Sequence, residues 1–146
     1  MTTLSILYEQ DFSLWLKSHI GLLRAAKFDE LDIDNLIDEL ESMGKRDKRE
    51  LASRFIILIA HLLKWQYQSD KQSTSWRSSI IEQRKKIAYL LKNEPSLKPY
   101  IPEAIDNAYA DAVDLASEET ELPSSTFPTV CPYTQQQLLD KFYPTR

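Results

Sequence analysis

"FIILIAHLL" (residues 55–63) is the longest apolar run of the chain, and its reading decides the fold. By itself "FIILI", with its β-branched residues, suits a buried strand. Its flanks decide for a helix, because Leu51, Phe55, Leu58, Leu62 and Trp65 recur three or four residues apart on both sides. The wider surroundings agree. The only glycines are Gly21 and Gly44 and every proline lies at or beyond Pro95, so residues 45–94 hold neither. A strand-and-turn fold needs such breakers. The fold class is all-α.

Working outward, Asp47-x-x-Glu50 has the spacing of an acidic capping box, which predicts a helix starting there and reaching about Tyr67. Before it, a helix opened by Asp32 or Asp34 carries Ile33, Leu36, Ile37, Leu40 and Met43, with Gly44 as its end or a kink. A first helix spans roughly Asp11 to Lys27, with Phe12, Trp15, Leu16, His19 and Leu23 on one side. After the polar connector "QSDKQSTS" (68–75), a fourth helix runs from Trp76 to Lys92 on a stripe of Trp76, Ile80, Ile87 and Leu91. An alanine-rich helix follows over about 102–121, with Pro102 in its first turn and Ile105, Ala108, Tyr109, Ala112 and Ala116 as its narrow apolar face. "LPSSTFPTVCPY" (122–133) predicts an extended strap pinned by Phe127 and Tyr133, and Thr134-x-x-Gln137 caps a last short helix. The expectation is one domain over 1–146, a compact bundle of five to six helices. Its core covers about 8–121, the strap and short helix cover 122–146, and the third and fourth helices form its central antiparallel pair.

At 146 residues the chain is long enough for a core without staples. Cys131 stands alone, so neither a disulfide framework nor a Cys-x-x-Cys zinc site is available. The start, "MTTLSILYEQDFSLW", lacks a secretory pattern, and the apolar run is too short to span a bilayer. A cytoplasmic location without membrane partners is expected. The net charge of −4 is patterned: residues 1–40 carry 3 Lys/Arg against 8 Asp/Glu, residues 41–92 carry 12 against 5, and residues 93–146 carry 3 against 9. A basic middle between acidic ends suits an anion-binding face, or ends that fold back and neutralise the middle. The second needs no partner and is favoured.

His61 shares a helix side with Glu50, Arg54 and Trp65, and Arg84 lies between Ile80, Ile87 and Leu91 on the fourth helix. An arginine among inward apolar residues needs a partner, because an unpaired buried charge is costly. Glu39 and Glu50 are the candidate carboxylates, and Trp65 and Trp76 pack around the network. A buried polar cluster that fixes helix register is favoured over a pocket. No metal site or cofactor is expected: only His19 and His61 exist, without Glu-x-x-His or His-x-x-x-His, which leaves Asp38, Glu39 and His61 as a poor carboxylate-rich alternative. Ser53 or Ser78 with His61 as base lacks a nucleophile elbow, so no catalytic residue is assigned. The basic segments "GKRDKRE" (44–50) and "EQRKK" (82–86) offer Arg46, Lys48, Arg49, Lys85 and Lys86 to phosphates, yet Asp47 and Glu50 interrupt the first.

The blocks "DFSLWL", "LLRAAKFDELDIDNLIDELESMGKRDKREL", "SRFIILIAHLLKWQYQ", "SWRSSIIEQR" and "FPTVCPYTQQQLLDKFYP" follow one another in this order. With them the chain closely resembles the bacterial family known only as "domain of unknown function 29", abundant in cyanobacteria. The resemblance spans about Tyr8 to Pro144, with "HLLKW" and "SWRSSIIEQR" as its most specific parts. It implies an all-helical domain in a bacterial cytoplasm and supplies no activity or cofactor. It directs attention to Glu39, Glu41, Arg54, His61, Trp65, Tyr67, Trp76, Gln83 and Arg84.

The favoured function is a non-enzymatic interaction or regulatory module that binds a protein partner or itself, with the strap as a docking element. One alternative is an enzyme or a small-ligand or metal-binding domain with a pocket around His61 and Arg84. Another is nucleic-acid binding through residues 45–49 and 84–86.

Overall fold

The computed structural model describes residues 3–145. Met1, Thr2 and Arg146, which belong to the expected domain and strap, lie outside the described residues. Among the described residues there are six α-helices and no strand. They are α1 (Thr3–Gln10), α2 (Phe12–Arg24), α3 (Ile33–Tyr67), α4 (Thr74–Asn93), α5 (Ile101–Thr120) and α6 (Gln135–Leu139). The all-α class holds. The chain divides into two units, Met1–Arg46 and Asp47–Arg146.

In the N-terminal unit the side chain of Asp11 accepts a hydrogen bond from the Leu14 N–H at 3.1 Å and so caps α2. The helix ends three residues before the expected Lys27. There Lys27 N–H donates to Leu22 C=O and Ala26 N–H to Leu23 C=O, while Ala26 takes a left-handed φ of 56°. That pair of bonds is a Schellman motif, with alanine where glycine is usual. Sequence periodicity also missed α1, an eight-residue helix with no buried side chain. Its Tyr8 packs edge-on against Trp15 at 5.0 Å. Only Trp15 and His19 of α2 are buried, whereas Phe12, Leu16 and Leu23, expected on the same inward side, are exposed.

A second correction concerns α3. Its 35 residues run unbroken through Gly44 and Asp47, so the Asp47-x-x-Glu50 spacing starts no new helix. A glycine inside a helix costs only about 1 kcal/mol, and the Glu-, Leu-, Lys- and Arg-rich flanks outweigh it. No cap is needed where the preceding turn already supplies the carbonyls.

The C-terminal unit is built on the last six turns or so of α3, from Asp47 to Tyr67. Leu51, Phe55, Leu58, Ile59, Leu62 and Leu63 are fully buried, and Ile80 and Ile87 of α4 join them in one core. Every small or aromatic residue expected on the inner face of α5 is buried, from Ile105 to Ala116. Ser73 caps α4, and Thr134 with Gln137 forms the expected capping box of α6. Phe127 and Tyr133 are buried, as expected for a pinned strap. The Tyr133 hydroxyl donates to Gln66 Oε1 at 2.8 Å and the Tyr109 hydroxyl to Pro128 C=O at 2.6 Å. Burial pushes the Tyr109 phenol up to about 12.

Candidate functional site

The polar residues picked from the sequence do not assemble as expected. His61 is half-buried, and its Nδ1–H donates to Ile57 C=O, 2.8 Å away on its own helix. No carboxylate from another helix bonds it among the described residues. Burial holds its pKa below the ordinary 6.5, with Lys64 adding to the effect and the Ile57 carbonyl and Glu119 opposing it. Arg54 is half-buried and pairs at 3.6 Å with the exposed Glu50, one turn earlier on α3. Glu39 lies in the N-terminal unit and accepts from the Tyr8 hydroxyl, a bond that pushes the phenol up to about 12. Asp38 lies in that same unit and His61 in the other. Among the described residues no three His, Cys, Asp or Glu side chains gather as metal ligands.

Arg84 finds a different partner from the expected carboxylate. Its Nε–H donates to Leu138 C=O at 3.0 Å, and its Nη2 donates to Gln137 C=O at 3.0 Å and Phe142 C=O at 2.6 Å. These are the free carbonyls at the end of α6 and in the following turn, groups that every helix C-terminus leaves unsatisfied. Sequence periodicity placed Arg84 on the inner side correctly but could not supply a backbone partner more than 50 residues away. Burial lowers the Arg84 pKa, while Tyr143 and Asp140 oppose the shift.

Around Arg84 the chain brings together residues from three elements. The Arg77 guanidinium lies 5.4 Å from the Trp65 ring centre and 5.2 Å from that of Tyr143, and Arg84 lies 5.6 Å from Tyr143. Trp65 and Tyr143 rings are themselves 5.0 Å apart. Beside this cluster opens a cleft of about 400 Å³, lined by Arg77, Ile81, Arg84, Lys85, Lys141 and Tyr143. Of this group the sequence singled out Trp65 and Arg84, which meet Arg77 and Tyr143 respectively; Arg77, Lys141 and Tyr143 it did not single out. The signal for them was faint: Arg77 adjoins Trp76 in the "SWRSS" block, and Tyr143 follows an aromatic in "KFYP".

The remaining candidates are dispersed. Trp76 is half-buried with the Lys64 ammonium 4.8 Å from its ring centre. Lys64, which sequence reasoning passed over, is 4% exposed and pairs with Glu119 of α5. Lys48 sits 5.2 Å from the Tyr100 ring centre, while Arg46 and Arg49 are exposed. Lys86 is spent on Glu82 at 3.0 Å. Lys85 and Lys86 line a second cleft, of about 460 Å³, with Arg54, Glu50, Tyr89 and Leu90.

A second feature lies in the N-terminal unit. Of the fourteen large apolar side chains exposed among the described residues, eleven fall between Ile6 and Met43. On α2, Leu14, Leu16, Ile20 and Leu23 are 40–47% exposed while Trp15 and His19 face inward. On α3, Ile33, Ile37, Leu40 and Met43 make an exposed seam at helical spacing. The signal was present in the sequence: "FSLWLKSHIGLL" is apolar around most of its circumference, the pattern of a helix covered on more than one side.

No described helix is long and apolar enough to cross a membrane. Neither a curated protein nor a solved structure matches the chain. The blocks that carried the resemblance are matched by a family model over residues 7–143. The chain belongs to the family described as Domain of unknown function DUF29.

Proposed function

We propose that the chain is a non-enzymatic interaction module whose docking element is the N-terminal unit, and that its partner is a protein surface with an apolar centre and a basic rim. The observation that carries this reading is α2, which is apolar around most of its circumference and buries only Trp15 and His19. Isolated exposed leucines are ordinary, but a contiguous apolar face on a small unit marks an interaction surface. The rim supplies the sign of the partner. Residues 1–40 carry 8 acidic against 3 basic side chains; Asp29 and Glu30 precede the seam of Ile33, Ile37 and Leu40, and Asp34, Asp38 and Glu41 each follow one of its members. A second copy docking face to face would set like charges against each other, and an anionic bilayer would repel the same rim. The strap is a weaker docking element, because Phe127 and Tyr133 are already spent on the chain's own core.

The probe is an amphipathic helical peptide of leucine and lysine, compared with a serine–lysine peptide of equal charge. Fluorescence anisotropy is expected to show saturable binding of the first and none of the second. The Leu16→Ser/Ile20→Ser double variant, altered only at exposed positions, is expected to weaken binding about tenfold or more, a loss of at least ~1.4 kcal/mol. Equal binding of both peptides would reduce the effect to charge and overturn the reading. So would a concentration-dependent dimer in sedimentation velocity that the double variant abolishes, since that would make a second copy the occupant.

A further inference from the structure

We propose that the cleft lined by Arg77, Ile81, Arg84, Lys85, Lys141 and Tyr143 binds a phosphomonoester dianion carried on a small apolar or aromatic body. The site lies wholly within the C-terminal unit and does not depend on the docking role of the other unit. Four of its six lining residues are cations and none is a carboxylate. Arg77, Lys85 and Lys141 take part in no ion pair among the described residues, in contrast to Lys86, which pairs with Glu82. Asp140 acts on Arg84 electrostatically but neither lines the cleft nor approaches within ion-pair distance.

Arg84 gives the cleft its fixed point. Three bonds to the carbonyls of Leu138, Gln137 and Phe142 hold its Nε and Nη2, and its Nη1 has no partner among the described residues. A guanidinium locked in this way loses little freedom when it meets an anion, which is the main source of economy in a prepared site. Its partners are neutral, so its charge stays uncompensated in a half-buried place. Arg77, exposed beside it, keeps its guanidinium 5.4 Å from the Trp65 ring centre and 5.2 Å from that of Tyr143, so the two rings steady the second cation from one side.

The charge count selects the ligand. A carboxylate would neutralise one of four cations, whereas a phosphomonoester brings a charge of about −1.5 to −2 and three acceptor oxygens. The walls select its body, since Ile81 is 42% exposed beside the Tyr143 ring and offers apolar surface next to the charges. A cleft of about 400 Å³ falls within the usual range for small-molecule sites.

Calorimetric titration of the full chain with phenyl phosphate, inorganic phosphate and benzoate tests this. Phenyl phosphate is expected to saturate one site, inorganic phosphate to bind more weakly for want of the ring, and benzoate most weakly for want of the second charge. The Lys85→Gln/Lys141→Gln variant changes two exposed side chains without bonds among the described residues, so its thermal melt is expected to match the parent while affinity for phenyl phosphate falls about tenfold or more. No saturable binding of phenyl phosphate in the millimolar range would overturn the proposal, as would unchanged affinity in the double variant. A single-stranded oligonucleotide that binds the same lysines more tightly with each added nucleotide would overturn it too, in favour of a nucleic-acid backbone.

Discussion

At the scale of single residues, the two histidines show how differently one residue type is used. His19 is 2% exposed and has both ring nitrogens satisfied: Nδ1–H donates to Trp15 C=O and Nε2 accepts from the Asp32 N–H, each at 2.9 Å. This fixes a neutral tautomer, and the Asp32 side chain in turn accepts from Trp15 Nε1–H and Asn35. The satisfied core histidine is therefore His19, while His61, set in the more apolar stretch, is only half-buried and bonded within its own helix. Its depressed pKa has a consequence for stability. The unfolded chain binds a proton near the ordinary 6.5, the folded chain only at lower pH, so stability falls as pH drops through 6.5 and levels off below the folded value. Urea unfolding of His61→Gln is expected to show a loss of about 1 kcal/mol at neutral pH and a shallower decline toward acid than the parent. An unchanged acid slope would remove His61 from that role. Ala26 offers a second test. It holds φ 56° at the turn after α2, where a side chain is strained, and Ala26→Gly is expected to raise stability by about 1 kcal/mol in the same experiment.

At the scale of elements, legibility followed length and periodicity. The core-facing pattern from Leu51 to Trp65 and the alanine face of α5 were readable because many residues repeat one spacing, and burial sums over them. The Thr134–Gln137 box was readable because both capping bonds are local. α1 was not, since eight residues with no buried side chain leave no periodic stripe. The passage through Gly44 was misjudged because glycine and a capping-box spacing both resemble an end, yet their combined preference is small beside that of 35 residues of continuous helix. Nothing lies within 4 Å of where a Cβ on Gly44 would sit. Gly44→Ala is accordingly expected to stabilise the chain by about 1 kcal/mol, read from the urea midpoint. A loss of stability would mean that α3 bends or breaks there after all. The Arg84 site was legible only by half, because inward placement is a periodic property whereas its carbonyl partners belong to a turn brought close by the fold.

At the scale of the whole molecule, the three charge blocks invited the expectation that acidic ends neutralise a basic middle. Among the described residues three ion pairs form, and two of them, Glu50–Arg54 and Glu82–Lys86, lie within a single helix turn. Lys64–Glu119 alone joins different helices. Neutralisation by direct pairing is therefore slight, and most basic side chains of the middle take part in no ion pair among the described residues. The apolar side chains are just as uneven: the C-terminal unit buries a continuous core, while the N-terminal unit buries Trp15 and His19 and leaves most of its large apolar residues exposed. Surplus cations around one cleft and surplus apolar surface on one unit support two proposed binding events, and docking through the N-terminal unit is the larger of them. Photo-crosslinking in the native cell tests it most directly, with a photoreactive residue placed at Leu16 or Ile37 in the N-terminal unit and at Tyr89 in the other. The expected result is one defined adduct from Leu16 and Ile37, absent from Tyr89, whose protein presents a basic, apolar surface. Adducts from Tyr89 alone, or from none of the three, would contradict the account.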